Sequence, residues 1–340
     1  MVDVKAAIKE IKQGKVSPLY LCYGTEKYQM QQFIALLQEQ IVDPDQRDFA
    51  LAHFDLAETP VEVVIEEAET PPFLAERKLI IAKDSAVFTA GRDNSKIEHK
   101  LETLLTYCAN PAEYSVIVFM ANSEKLDERK KIVKTMKSEG VVLSFLPLSG
   151  AELVQWVVRE VEGRGCRIGT DAAEALIASA GVQLSALSVE VDKLCLYTGS
   201  GGKIEPSTVE QLVARSTEQN VFVMVENIAN LKLEKALDIF YELLKQREEP
   251  IKIAALIARQ FRIMLQVKDL ARQSYSQQQI ASQLSLHPYA VKIAGEQARK
   301  FEAAALRGIL SELAELDYRM KSGRVDKVLG LEMFLLKLGA

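Results

Sequence analysis

The residue types best placed for chemistry follow an apolar run, Leu19-Tyr20-Leu21-Cys22-Tyr23, in the segment Gly24-Thr25-Glu26-Lys27-Tyr28. A glycine turn leading from a buried strand into a helix is where a phosphate-binding loop stands in nucleotide-binding α/β domains. That loop needs glycines so that backbone N–H groups can surround phosphate, a lysine for the β- and γ-phosphates, and a Ser/Thr hydroxyl for magnesium. Gly24 and Lys27 are what remains of it here, and Tyr28 takes the place of the hydroxyl residue. The turn reads as a degenerate nucleotide loop, with ATP hydrolysis through an atypical loop as the competing reading. A magnesium-holding strand would end in acidic residues, yet Leu79-Ile80-Ile81-Ala82 runs into Lys83-Asp84-Ser85, so Asp84 reads as a loop or cap residue. Cys22, Cys108, Cys166 and Cys195 are far apart, and His53, His99 and His287 have no cysteine or second histidine beside them. Such spacing builds neither a zinc site nor a redox dithiol, so no catalytic residue, cofactor or metal is expected.

Three further groups bear on binding. In Thr70-Pro71-Pro72-Phe73-Leu74-Ala75-Glu76-Arg77-Lys78 the prolines stiffen the approach and hold Phe73-Leu74 at a defined turn. In a partner's apolar pocket such a pair would contribute on the order of 3–6 kcal/mol before the costs of association; the alternative is that both side chains pack on their own sheet. Ser276-Gln277-Gln278-Gln279 is a capping box, and Leu286-His287-Pro288 turns the chain into a second helix from Tyr289 to about Lys300. The outline is that of a DNA-reading helix-turn-helix. Its second helix, however, begins Tyr289-Ala290-Val291-Lys292-Ile293, apolar where base-reading side chains are needed, so plain helix packing competes with that reading. Arg259, Arg262, Lys268 and Arg272 on one long helix, and Arg319, Lys321 and Arg324 near the C-terminus, suit either a solvated face or sequence-independent contacts to phosphate.

The elements that carry these groups follow from hydrophobic period. Strands fit Leu19–Tyr23, Phe49–Leu56, Leu79–Ala82, Val116–Met120 and Val141–Phe145, separated by helical patterns such as Met30/Phe33/Ile34/Leu37 and Ile97/Leu101/Leu104/Leu105/Cys108. Continuous apolar strands between helices predict a mainly parallel sheet with both faces covered. After Pro147-Leu148-Ser149-Gly150 the strand signals largely stop and helical period takes over, interrupted at Thr198-Gly199-Ser200-Gly201-Gly202. Three domains are expected: residues 1–146, 147–215 and 216–340. The 340 residues suit that number. A net charge of −5 argues against a nucleic-acid field over the whole molecule and leaves room for a local basic patch. No apolar run reaches the ~20 residues of a membrane span, and Met1-Val2-Asp3-Val4-Lys5 lacks the apolar core of a secretory signal, so a cytoplasmic protein is expected.

Several stretches, taken in order, carry a family resemblance: Pro18-Leu19-Tyr20-Leu21-Cys22-Tyr23-Gly24, Pro72 to Leu79, Ser123-Glu124-Lys125-Leu126-Asp127-Glu128-Arg129-Lys130, Glu190-Val191-Asp192-Lys193-Leu194, Arg259-Gln260-Phe261-Arg262 and Lys321-Ser322-Gly323. With them the whole chain resembles the delta-subunit family of bacterial DNA polymerase III clamp loaders. The resemblance implies an AAA+-like first domain without a working phosphate loop, a small helical lid, and a helical collar that joins gamma/tau and delta prime subunits in a ring. It implies that Phe73 and Leu74 enter a pocket of the beta sliding clamp, although the family often carries the two residue types in the other order. It further implies a non-ATPase subunit that opens the clamp for loading onto primer-template DNA, as part of a DNA-directed DNA polymerase holoenzyme in the replisome at the nucleoid. The competing readings are an atypical AAA+ ATPase and a helix-turn-helix DNA-binding regulator.

Overall fold

The computed structural model describes residues 3–90 and 97–338. Met1 and Val2 of the segment read for a leader, and the last two residues of the third expected domain, lie outside the described residues. By contacts the chain divides into two units, Met1–Pro147 and Leu148–Ala340.

The first unit runs α1 (Val4–Lys12), β1 (Leu19–Gly24), α2 (Lys27–Ile41), α3 (Arg47–Ala50), β2 (Leu51–Asp55), α4 (Val61–Glu69), β3 (Lys78–Lys83), α5 (Leu101–Ala109), β4 (Ser115–Ala121), α6 (Lys131–Glu139) and β5 (Val141–Phe145). The strands form one parallel sheet in the order β2-β3-β4-β1-β5, with Leu19 opposite Ile117 and Gly24 opposite Phe145. Alternate residues of each strand serve opposite faces. Leu19, Leu21, Tyr23, Ile80, Ile117 and Phe119 pack under α4, α5 and α6. Tyr20, Cys22, Leu79, Ile81, Val118 and Leu143 pack under α1 and α2. Both faces being covered is why β1 reads as an unbroken apolar run.

Two boundaries differ from the sequence reading. Phe49 belongs to the single-turn α3 and the strand begins only at Leu51. Ile97 precedes α5, which starts at Leu101.

The second unit contains α7 (Gly150–Gly163), β6 (Arg167–Ile168), α8 (Thr170–Ala180), α9 (Leu184–Thr198), β7 (Lys203–Ile204) and α10 (Pro206–Leu212). It continues with α11 (Thr217–Ala229), α12 (Leu233–Lys245), α13 (Pro250–Arg272), α14 (Gln277–Leu284), α15 (Pro288–Ala298), α16 (Ala303–Lys321) and α17 (Lys327–Leu338). Ser149 and Glu152 form a reciprocal capping box that starts α7. The β6–β7 pair joins two residues to two, too short for an alternating pattern to register in sequence. Along α13, Ile253, Ile257, Phe261 and Met264 form a buried stripe against α11 and α16. Among the described residues no helix is long and apolar enough to cross a membrane.

Candidate functional site

The segment 70–77 is held at both ends and bare in the middle. α4 buries Val61, Val64, Ile65 and Ala68 on one face, and Pro71 then drives Thr70 out of helical geometry, to φ −78° and ψ 123°. The last carbonyls of a helix have no intrahelical donor. Here each is met: Glu66 by the Thr70 hydroxyl at 2.8 Å, Glu67 by the Lys78 ammonium, Ala68 by the Ser115 hydroxyl at 2.6 Å, and Glu69 by the Tyr114 hydroxyl at 2.6 Å. The Lys78 side chain is 3% exposed and also meets the Glu67 carboxylate at 2.8 Å. A buried cation is thus placed at the negative end of the α4 dipole.

Between these anchors Phe73 is 70% exposed and Leu74 is 67% exposed. Leu74 has φ 60°, a left-handed conformation that costs a leucine roughly 1–2 kcal/mol. The Phe73 ring meets the ring of Phe49 edge-on, centroids 6.4 Å apart. Ala75, on the return leg, packs against the core that contains Ala50. The alternative in which both side chains seal onto their own sheet is therefore not what the fold adopts.

At the opposite, carboxyl edge of the sheet, the turn after β1 packs against its own chain. Gly24 has φ 140° and a Cβ there would lie 1.9 Å from the Phe145 carbonyl oxygen, so this glycine serves strand packing. The N-terminus of α2, where an anion would bind, is capped by Glu26, whose carboxylate accepts from the Tyr28 N–H at 3.1 Å. Burial pushes the Glu26 carboxyl above the ordinary carboxylate range. Lys27 is exposed. Asp84 sits in the left-handed region, at φ 49°, in the turn after β3.

The basic groups are dispersed. Arg259 pairs with Glu218 at 3.3 Å and Lys321 with Asp317 at 2.8 Å, Arg324 lies over the Tyr318 ring at 5.1 Å, and Arg262 is exposed. Lys268 donates to the carbonyls of Ala298, the last residue of α15, and of Phe301 just beyond it, a structural task. α14 and α15 do form a helix-turn-helix, with Ser276 and His287 as N-caps. Ile280, Val291 and Ala294 pack on Val267 and Leu270 of α13. Tyr289 lies so close to Gly150 that a Cβ there would come within 3.0 Å of its ring, leaving the start of α15 engaged within its own unit.

All four cysteines are buried thiols, and the fold brings Cys166 against the Cys195 carbonyl at 3.8 Å. Burial pushes the Cys195 thiol up to about 12 and the Cys108 thiol to about 11, which keeps both protonated and unreactive. Among the described residues no group of three or more His, Cys, Asp or Glu side chains could hold a metal ion. Sequence reasoning did not reach the helix-end role of Lys78 or the capping role of Glu26. A lysine opening an apolar strand, and an acid directly before a helix, were the signals available.

Comparisons with known proteins agree along the chain. Residues 20–146 match the family model described as DNA polymerase III, delta subunit, and residues 218–338 match the DNA polymerase III delta subunit, C-terminal domain. The DNA polymerase III subunit delta of Bacillus subtilis (strain 168) is 44% identical over 330 residues, covering 97% of this chain and 95% of that protein. A probable DNA polymerase III subunit delta of Aquifex aeolicus (strain VF5) is 22% identical over 242 residues, 71% of this chain and 67% of the other. Among solved structures, the Bacillus subtilis DNA clamp loader delta protein superposes with a TM-score of 0.88 at 44% identity, covering 99% of both chains. The sheet order with β1 between β4 and β5 is AAA+-like. The chain belongs to the delta-subunit family of DNA polymerase III, the delta component of its clamp loader.

Proposed function

We propose that this delta subunit binds the beta sliding clamp through Phe73 and Leu74 and opens it for loading onto primer-template DNA, without hydrolysing ATP itself. The observation that carries the reading is the pair of adjacent apolar side chains, each about two-thirds in water, on a segment anchored at both ends, one of them in a left-handed conformation. A cost of that kind, retained at an exposed position, is typical of a binding site. The tight packing at Gly24 and the Glu26 cap, with Lys27 exposed, support the non-ATPase part.

Opening follows from differential binding, because a ligand shifts a closed-to-open equilibrium only by as much as it prefers the open form. Phe73 and Leu74 hold one clamp protomer while the surrounding domain fits only the relaxed, open interface. Nucleotide bound by neighbouring subunits decides when this surface is available. In the proposed assembly residues 147–215 act as the lid and 216–340 as the collar that meets gamma/tau and delta prime subunits. Arg259, Arg262, Lys321 and Arg324 lie on that collar, and Arg262 and Arg324, which pair with no carboxylate among the described residues, are the better suited to touch DNA phosphate.

The test is binding of the full chain to purified sliding clamp. The exposed fractions of Phe73 and Leu74, applied to ~1.5–3 kcal/mol for full burial of each, give about 2–4 kcal/mol, so Phe73→Ala/Leu74→Ala should weaken binding roughly thirty- to thousandfold. Undiminished binding by a folded double variant refutes the assignment, and ATP hydrolysis by the isolated wild-type chain refutes the non-ATPase part.

A further inference from the structure

Phe49 is placed unlike most residues of its kind. The single turn of α3 buries its neighbour Ala50 and delivers Leu51 into β2, yet the Phe49 side chain stays 55% exposed. The adjacent ring is that of Phe73, 24 positions further along the chain and at 68° to it. Topology explains the meeting. β2 and β3 are neighbouring parallel strands, Leu51 opposite Leu79, so the segment entering β2 and the segment entering β3 emerge side by side at the amino edge of the sheet. Ala50 and Ala75 belong to one core cluster and hold the two segments from behind. Next to these residues in the chain, Arg47 and Asp48 before Phe49 and Glu76 and Arg77 after Leu74 are all exposed and of both signs. An apolar centre with a mixed polar rim is the anatomy of a protein interface, whereas a membrane-binding patch would carry a basic rim.

We infer that Phe49 is a third contact residue of the clamp-binding surface, continuous with Phe73 and Leu74 and buried with them by the sliding clamp. The inference rests on the clamp reading of Phe73-Leu74 given above. Phe49 adds aromatic area that a two-residue anchor lacks, and its edge-on contact favours one orientation of the Phe73 ring before the partner arrives, which reduces the ordering cost of binding.

The experiment measures binding of the full chain to purified sliding clamp for Phe49→Ala, Phe49→Leu and Phe73→Ala/Leu74→Ala. Phe49→Ala should weaken binding roughly four- to fifteenfold and Phe49→Leu should recover most of the loss. Phe49→Gln, which keeps side-chain length but not apolar character, serves the same purpose should the alanine variant not fold. Wild-type affinity in the Phe49 variants, with binding lost in the double variant, overturns the inference and leaves the clamp reading standing. Wild-type affinity in all of them overturns both.

Discussion

Replacing Leu74 by glycine and, separately, by alanine separates its cost to the fold from its use. Alanine normally outranks glycine by roughly 0.5–1 kcal/mol because glycine leaves the unfolded chain more freedom. At φ 60° the order should reverse, since glycine removes a left-handed penalty of roughly 1–2 kcal/mol that alanine retains. Either change forfeits the third of the leucine that is packed at home, about 0.5–1 kcal/mol. The glycine variant is therefore expected within about 1 kcal/mol of wild type and about 0.5–1 kcal/mol above the alanine variant. The chain's single tryptophan, Trp156, lies in the second unit, so its fluorescence would follow the wrong part of the molecule. Amide exchange of β3 and β4 is the suitable readout. Both variants should lose clamp affinity alike, roughly five- to thirtyfold from the exposed two-thirds of the side chain. An alanine variant more stable than the glycine variant would refute the strain, and unchanged affinity in both would refute the role.

Lys78→Met removes the ammonium that meets the Glu67 carbonyl and carboxylate while keeping the stem, and should cost roughly 1–3 kcal/mol with faster amide exchange at the end of α4; wild-type exchange there would show that the helix end does not depend on it. His287 caps α15 by accepting from the Tyr289 N–H at 3.2 Å, and burial lowers its pKa to about 4. Between about pH 6.5 and 4 the unfolded state binds a proton that the folded state refuses, so stability should fall as the pH drops through that window, by about 1–2 kcal/mol after allowance for partial exposure. His287→Asn keeps an N-cap acceptor and should flatten the acid limb seen in amide exchange of α14 and α15; an unchanged limb would refute the assignment.

The sheet was legible because its strands are covered on both faces. Runs such as Val116-Ile117-Val118-Phe119 need no partner pattern to declare themselves, and the helices between them show their buried stripes at helical spacing. The segment around Phe49 was not, because an aromatic directly before Leu51 looks like the first residue of a strand until the fold shows it on a one-turn helix. The exposure of Phe73 and Leu74 could be left only as an alternative from pattern, since two prolines fix the turn without saying which way the following side chains face. What decides it is the set of hydroxyls and the ammonium that close the end of α4, and these come from Lys78, Tyr114 and Ser115, separated from α4 in the chain. The pairing of β6 with β7 and the meeting of Cys166 with Cys195 depend on the same kind of long-range placement.

Because every strand of the sheet runs the same way, its two edges can be given separate tasks. The loop after β1 opens on the carboxyl edge, where ligands of parallel α/β sheets ordinarily bind, and there Gly24 is filled by the Phe145 carbonyl and the α2 N-terminus by Glu26. Phe49, Phe73 and Leu74 emerge on the amino edge, before β2 and β3. Strands of five to seven residues separate the edges by roughly 15–25 Å. At that separation a nucleotide placed at the turn after β1 could neither touch the apolar surface nor compete with its partner. In the proposed assembly, dependence of clamp grip on ATP then comes from how neighbouring subunits cover or uncover the amino edge. The proposed anchor, already held in an exposed conformation with Leu74 at φ 60°, is suited to that arrangement, since it needs only access.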